Sequence, residues 1–210
     1  PRVVHVRLFV NRTYIGLYQL IEPIDKVFLA RVYGTRDDGK PENGGYLYEY
    51  AWKDDYAWDY LGPELRIYAE LFEPKTHESD APAVLYGPLE EFFRTFNDVG
   101  GGQFEQEVSR YLDIPQFVRF LAVENFIADY DGFLGAWSVN NFYLYRDQGT
   151  THHRLFVWDK DNAFLFIDSP IRTTDDNVLF RRAMTYPDLR ETFLSSLERC
   201  AQIARTDDFL

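Results

Sequence analysis

Acidic and amide side chains gather at the ends of predicted strands and of one helix in the second half of the chain. The residues concerned are Asp129, Asp131, Asn140, Asn141, Asp159 and Asp161. Since the strands that they flank are expected to pair, their side-chain oxygens are expected to meet in one place. Carboxylate and amide oxygens favour Mg²⁺, Mn²⁺ or Ca²⁺ over softer metals.

The order of these residues is typical of phosphoryl transfer. In protein kinases one Asp accepts the proton of the substrate hydroxyl, and an Asn and a second Asp, separated by a hairpin, bind metal. The kinase motifs His-Arg-Asp, Asp-Phe-Gly and Gly-x-Gly-x-x-Gly are absent from the sequence. The alternative interpretation is that the acids only cap strands and turns on an acidic surface.

Composition and charge exclude several classes of partner. The 210 residues include 22 basic and 34 acidic side chains, which gives a net charge of −12. This charge would repel nucleic acids and anionic membrane surfaces, whereas a metal ion or a cationic peptide fits it. Cys200 is the only cysteine, which excludes an internal disulfide and a thiolate metal cluster. No apolar stretch is long enough to predict a membrane span.

Apolar periodicity and turn residues predict the elements that position the acids. A hairpin over 3–22, in which Gly16 indicates a bulge or a close backbone approach, precedes a helix that Asp25 caps and Gly34 ends. The other predicted elements are a loop over 35–45, a strand over 46–50, helices over 87–97, 103–111, 115–128 and 188–204, and a hairpin over 141–146 and 153–158. Residues 51–84 have no clear period and are left unassigned.

Strands come first and helices follow, which predicts an α+β protein. We expect a β-rich part over 1–84 and a helical part over 85–210 that carries the chemical residues. The sequence begins at Pro1 with neither an initiator Met nor a signal-peptide pattern, so the N-terminal part is expected to be incomplete.

Several stretches resemble the spore-coat protein H (CotH) kinase family. They are Val6–Asn11 with Gly16–Lys26, Asn140–Asp147, Trp158–Asp161, and Asn177–Phe180 with Pro187–Arg190. Their order and spacing carry the resemblance over most of the chain. It implies an atypical protein-kinase-like fold with N-lobe-like and C-lobe-like parts and a catalytic hairpin. It also implies transfer of the ATP γ-phosphoryl group to Ser of a protein substrate with Mg or Mn.

The resemblance also implies roles for single residues. Asp131 takes the place of the catalytic base, and Asn141 and Asp159 take those of metal ligands. Asp161 is a candidate for a further metal-binding carboxylate. Asp129 is expected to be a surface residue at the end of the preceding helix.

The chain departs from the family pattern where nucleotide would bind. Glu49 stands where many members have a phosphate-contacting Lys, and Lys53 is the nearest lysine in the sequence. Glu22 lies in a well-matched stretch. It would either orient a phosphate-contacting lysine or a metal, or pair with Arg7 or Lys26 at a strand end.

Three functions are therefore carried forward from the sequence. The first is a protein serine kinase that uses ATP and acts on a protein substrate, for which the acidic charge favours a basic one. The second is a non-catalytic coat or cell-surface interaction module that retains the fold, and the third is a metal-dependent phosphoester hydrolase. The resemblance suggests the spore coat, secretion or the cell surface as the location, and the oligomeric state is left open.

Overall fold

The computed structural model of the chain describes residues 1–35, 38–170 and 177–206. The chain divides into two compact units, residues 1–45 and 46–210. Both contain antiparallel strands and α-helices, as expected for an α+β protein. Within the described ranges, no helix is both long and apolar enough to cross a membrane.

The unit over 1–45 begins with the predicted hairpin. Strand β1 (Val3–Val10) pairs antiparallel with β2 (Thr13–Ile21). Leu8 lies opposite Gly16, and the next residue on β1, Phe9, lies opposite Tyr14. The pairing register therefore shifts, because Ile15 on β2 has no partner on β1. Gly16 has φ of 155°, a conformation that residues with a side chain rarely adopt, so the predicted bulge is confirmed.

Helix α1 (Lys26–Tyr33) follows the hairpin within the same unit. Asp25 caps it by accepting hydrogen bonds from the backbone N–H groups of Val27 and Phe28, at 2.8 and 2.9 Å. The helix ends at Gly34, as predicted. The loop predicted over 35–45 includes residues 36 and 37, which lie outside the described residues.

A four-stranded antiparallel sheet forms the centre of the unit over 46–210. Its strands are β3 (Tyr46–Tyr50), β4 (Phe72–Pro74), β5 (Phe142–Arg146) and β6 (His153–Val157), in the order β4-β3-β5-β6. The sheet joins strands from both sides of residue 84. The functional division of the chain at that residue stays a prediction.

The helices of this unit lie between and after the strands along the chain. They are α2 (Leu65–Leu71), α3 (Pro82–Asp98), α4 (Phe104–Val108), α5 (Ile114–Phe126), α6 (Val178–Ala183) and α7 (Pro187–Thr206). Helix α3 begins earlier than predicted, with Pro82 in its first turn, and Pro88 lies inside it. Helix α2 and strand β4 fall in the segment that was left unassigned, and α6 was also not predicted.

Aromatic rings fill the core of this unit. Trp58 is fully buried, and its ring centroid lies 4.7 Å from that of Phe133, 5.1 Å from Phe93 and 5.7 Å from Phe142. Phe133 and Phe142 belong to the segments on either side of the predicted acidic cluster. The aromatic core therefore anchors both segments that carry the candidate site.

Candidate active site

Three segments meet at the candidate site: the turn after α5, the residues before β5 and the residues after β6. Phe142 pairs with Val157, so the segments that flank the two strands are neighbours. The backbone N–H of Trp158 donates to the carbonyl of Asn141 at 3.2 Å. The segment after α5 joins them through the N–H of Phe164, which donates to the carbonyl of Ile127 at 2.8 Å.

Two asparagines hold the carboxylate of Asp131. Asn140 Nδ2 donates to Asp131 Oδ1 at 2.8 Å, and Asn141 Nδ2 donates to Asp131 Oδ2 at 3.0 Å. Asn141 Nδ2 also lies 3.0 Å from the backbone carbonyl of Asp131. Because each carboxylate oxygen has its own donor, the orientation of the half-buried carboxylate is fixed. The sequence predicts that Asp131 and Asn141 belong to one site but indicates no contact for Asn140.

Asn141 has a backbone conformation in the left-handed region, with φ of 56°. Asn is one of the few residues that adopt this conformation readily. With the amide nitrogen on Asp131, the side-chain oxygen has no hydrogen-bond partner within the described part of the chain. Asn141 can therefore orient Asp131 and present an oxygen ligand at the same time.

Asp159 and Asp161 follow the end of β6 and are exposed. Partial burial and the negative charges of Asp161 and Asp131 raise the pKa of Asp159. Among the described residues the Asp159 carboxylate has no hydrogen-bond or ion-pair partner, whereas Asp161 accepts from Asn162 Nδ2 at 3.0 Å. Concentrated negative charge with an unpartnered carboxylate is an environment that a bound cation stabilises.

The donor set fits a hard cation. Asn141, Asp159 and Asp161 offer amide and carboxylate oxygens. Over 1–35, 38–170 and 177–206, no group of three or more His, Cys, Asp or Glu side chains has the spacing to hold a metal. Mg²⁺ ordinarily takes one or two carboxylates and completes its coordination with water and phosphate oxygens, so a sparse protein donor set suits it.

A largely buried ion cluster contacts one of these residues, Asn141, through its backbone carbonyl. We call it the buried cluster; it consists of Lys160, Glu124 and Asp129. Lys160 Nζ lies 2.7 Å from Asp129 Oδ2 and 3.0 Å from the carboxylate of Glu124. Burial raises the pKa of Glu124, although Lys160 acts in the opposite direction. The expectation that Asp129 is a surface residue is wrong, because its residue exposure is 4%.

A family model described as CotH kinase protein matches residues 1–205. The chain belongs to this family. Inner spore coat protein H of Bacillus subtilis (strain 168) is 25% identical to it over 206 residues, which cover 93% of this chain and 52% of that protein. The chain thus spans about half the length of this curated relative, and the resemblance seen in its sequence is confirmed.

Glu49 of this CotH-family chain is paired with a lysine that the sequence analysis did not single out. Lys75 Nζ lies 2.7 Å from Glu49 Oε2 and 2.9 Å from Glu73 Oε1. We call Lys75, Glu49 and Glu73 the sheet cluster. Partial burial lowers the pKa of Lys75, but hydrogen bonds to Glu49 and Glu73 outweigh it and raise that pKa.

The cross-strand register explains this pairing. Glu49 on β3 lies opposite Glu73 on β4, and Lys75 follows Glu73 by two residues on the same face. Lys53, the lysine nearest to Glu49 in the sequence, is exposed, and its Nζ lies 5.8 Å from the centre of the Tyr56 ring. Glu49 is thus ion-paired with Lys75, and because Glu73 shares this lysine, the sheet cluster keeps one net negative charge.

Glu22 lies in the unit over 1–45 and is paired with Arg31. Arg31 Nε and Nη2 donate to its two carboxylate oxygens at 2.8 and 2.6 Å, and the backbone N–H of Arg2 donates at 2.9 Å. The Arg31 hydrogen bonds lower the pKa of Glu22 to about 2. Of the two alternatives for Glu22, the strand-end ion pair is present, but its partner is Arg31 rather than Arg7 or Lys26, because α1 brings Arg31 back to the end of β2.

Proposed function

We propose that this chain carries the catalytic centre of a metal-dependent protein kinase that transfers the ATP γ-phosphoryl group to Ser of a protein substrate. The observation that supports this most directly is the Asp131 carboxylate, which two asparagine amides hold and whose negative charge acts on the unpartnered carboxylate of Asp159. Membership of the CotH kinase protein family supports it independently. An atypical kinase-like fold is part of the same proposal.

Asp131 acts as the base in this proposal. Each of its carboxylate oxygens accepts one amide hydrogen bond, which leaves a further lone pair on each for the proton of the Ser hydroxyl. The Ser oxygen then forms the new bond to the γ-phosphorus, the bond from that phosphorus to the bridging oxygen breaks, and ADP leaves. Fixing the base in this orientation contributes to the rate by holding the reacting groups in place.

Asn141, Asp159 and Asp161 would hold Mg²⁺ or Mn²⁺. When bound, the cation supplies charge neutralisation for the phosphates. We propose Lys75, rather than Lys53, as the lysine that contacts these phosphates. Its pairing gives Glu49 a cation, which weakens the argument from Glu49 for a non-catalytic interaction module.

Glu22 can act on a bound nucleotide only indirectly. Its two carboxylate oxygens already accept from Arg31, so any action on a bound phosphate would run through the position of that guanidinium. Arg31 is paired with one carboxylate and Lys75 with two, so ion pairing alone does not rank these cations as phosphate contacts.

The surface beside the catalytic loop supports a basic protein substrate. A cavity of about 390 Å³ is lined by residues of the loop after Asp131, among them Phe133 and Ser138, and by the acids Asp55 and Asp59. Arg181 also lines it, so the cavity is of mixed charge with an acidic excess. The relative's name includes the spore coat, and we propose association with that structure for this protein as well.

The decisive experiment compares acid-to-amide variants of the protein. Wild type, Asp131→Asn, Asp159→Asn and the control Asp188→Asn are incubated with labelled ATP, Mn²⁺ and a Ser-rich basic peptide. The first two variants are expected to lose peptide labelling by about 10³-fold, because base or metal contact is lost. Asp188 lies on the exposed start of α7, so Asp188→Asn is expected to label as wild type does. Full labelling by Asp159→Asn would show that the assignment is wrong.

The same samples separate the other two functions. If ATP with Mn²⁺ at millimolar concentration gives no thermal stabilisation, an interaction module without nucleotide binding is favoured. If free phosphate appears faster than labelled peptide, a phosphoester hydrolase is favoured. A kinase is expected to show nucleotide-dependent stabilisation and to place most of the transferred phosphate on the peptide.

A further inference from the structure

Lys160 connects all three segments of the candidate site. Its Nζ contacts Glu124 on α5 and Asp129 after that helix, and it lies 3.3 Å from the backbone carbonyl of Asn141. Lys160 itself lies between Asp159 and Asp161 in the sequence. A single ammonium group therefore joins the end of α5, the segment before β5 and the turn after β6.

The contact with Asn141 bears directly on Asp131. The carbonyl of Asn141 accepts from Lys160 Nζ and from the N–H of Trp158, while its side-chain amide donates to Asp131. The left-handed backbone of Asn141, with φ of 56°, is thus restrained by contacts to its carbonyl and by the contact of its side chain. Loss of the Lys160 contact would remove one of the restraints on the amide that orients the base.

Glu124 fixes the other side of the same loop. Its carboxylate accepts from the N–H of Phe133 at 3.2 Å, two residues after Asp131. Gly132 packs so closely that a Cβ built there would lie 2.4 Å from both Glu124 Oε2 and Asp129 Oδ2. The buried cluster therefore holds Asn141, one of the two amide partners of Asp131, and also the residues that follow Asp131.

Lys160 has no donor left for a phosphate. An ammonium group has three N–H donors, and the three acceptors are the carboxylates of Glu124 and Asp129 and the carbonyl of Asn141. The carboxylate side chains are 3% and 0% exposed, against 22% for Lys160, so neither acid can turn to solvent when a nucleotide approaches. This arrangement suits positioning rather than ligand contact.

We infer that Lys160 is a positioning residue, which acts on the base Asp131 and on the metal-ligating oxygen of Asn141 through the Asn141 carbonyl. The inference rests on the proposed function for its catalytic consequence. The geometric part, the link from Lys160 to the orientation of the Asn141 side chain, stands on the contacts alone.

The test uses Lys160→Met and a triple variant in which the buried cluster carries no charge. The single variant leaves two buried carboxylates without their cation, so the triple variant Lys160→Met, Glu124→Gln, Asp129→Asn keeps the test decisive if the single one does not fold. Lys26→Met, at an exposed position on α1, is the matched control. Lys75→Met provides the contrast with a lysine proposed to contact phosphate.

Four readouts are measured: kcat, KM for ATP, Mn²⁺ affinity, and water exchange of the Asn141 side-chain amide protons by NMR. The Lys160 variants are expected to lower kcat and Mn²⁺ affinity by about 10- to 100-fold, the usual effect of losing a group that orients metal ligands. The amide protons of Asn141 are expected to exchange faster, and KM for ATP to stay close to wild type. Lys75→Met is expected to show the reverse split, a higher KM for ATP at similar kcat.

Two results would overturn the inference. One is a folded triple variant whose kcat and Mn²⁺ affinity equal those of wild type. The other is a rise in KM for ATP at unchanged kcat, which would make Lys160 a phosphate contact. If wild type transfers no phosphate at all, the proposed function fails, but faster Asn141 amide exchange and weaker Mn²⁺ binding in the variants would still support the positioning role.

Discussion

The buried cluster and the sheet cluster both combine one lysine with two carboxylates, but their surroundings differ. Each places one lysine within 3.0 Å of two carboxylates. In the buried cluster the side chains of the lysine and its acids are 22%, 3% and 0% exposed. In the sheet cluster the corresponding values are 30%, 36% and 68%. Burial of the acids, rather than formal charge or distance, distinguishes the two clusters.

This difference determines what each lysine can do. Water and salt screen the sheet cluster, so its lysine can exchange a carboxylate for a phosphate at small cost. The acids of the buried cluster have no access to water, and separating them from their cation is costly. A lysine that can change partners suits ligand contact, whereas one that cannot suits the fixing of geometry.

The largest expected effect is the loss of stability when the lysine of each cluster is replaced. Lys160→Met is expected to lower the free energy of unfolding by about 3–5 kcal/mol, because it strands two buried carboxylates. Lys75→Met is expected to lower it by less than about 1 kcal/mol, as for exposed ion pairs. Urea unfolding monitored by the fluorescence of the core tryptophan measures both. Equal losses would show that burial does not separate the clusters.

Arg182 extends the comparison to a partly buried cation whose partners are carbonyls. Its guanidinium donates to Phe96 O at 2.7 Å, to Asn97 O at 2.6 Å and to Val99 O, all at the end of α3. Arg182→Ala is expected to cost about 2–3 kcal/mol in urea unfolding, because several carbonyls lose a charged donor together. The exposed Arg199→Ala is the control and is expected to change stability little. A loss no larger than that of the control would contradict this account.

The burial of His153 is expected to make the stability of the protein depend on pH. Burial lowers its pKa to about 3, so the folded protein keeps it neutral while the unfolded chain protonates near its ordinary pKa of about 6.5. Stability attributable to His153 is therefore present above about pH 6.5 and is lost as pH falls toward about 3. Its share of the loss between about pH 7.5 and pH 5 is about 2 kcal/mol.

The measurement compares unfolding free energies of wild type and His153→Phe across that range. His153 stacks on Phe92 with ring centroids 5.2 Å apart, so Phe is a matched replacement in shape. The variant is expected to lose stability less steeply on acidification, since the carboxylates titrate alike in both proteins. Parallel curves would mean that His153 is protonated in the folded state.

The smallest expected effect on stability comes from removing one carboxylate of the sheet cluster. Glu49→Gln removes one of the two carboxylates on Lys75, and the free energy of unfolding is expected to change by less than about 0.5 kcal/mol, with the difference vanishing at high salt. Because Lys75 is then less neutralised, ATP affinity is expected to rise a few-fold by isothermal titration calorimetry. Weaker ATP binding would place the nucleotide away from this cluster.

Local patterns were sufficient to predict the elements that local residues determine. The first hairpin follows from its alternation and turn, and α1 from its cap at Asp25 and its end at Gly34. Helix α2 and strand β4, of seven and three residues, are too short to show a period.

The candidate site was predictable only in part, for the same reason. Asn141 and Asp159 were predictable as neighbours because paired strands bring their ends together, whereas the role of Asp131 came from the family resemblance. Lys75 was missed because it reaches Glu49 across a strand pairing that nothing in the local sequence indicates. Burial of Asp129 depends on Lys160, 31 residues later in the chain, and an acid after a helix end carries no mark of such a partner.

The close approach at Gly132 limits which changes the loop can tolerate. A methyl group there would overlap two carboxylates at 2.4 Å, so any larger residue must displace the loop that carries Asp131. A variant that retains every acid but replaces this glycine is therefore expected to lose the geometry of the candidate site. The absence of a side chain at position 132 is as much a requirement of that geometry as the carboxylates themselves.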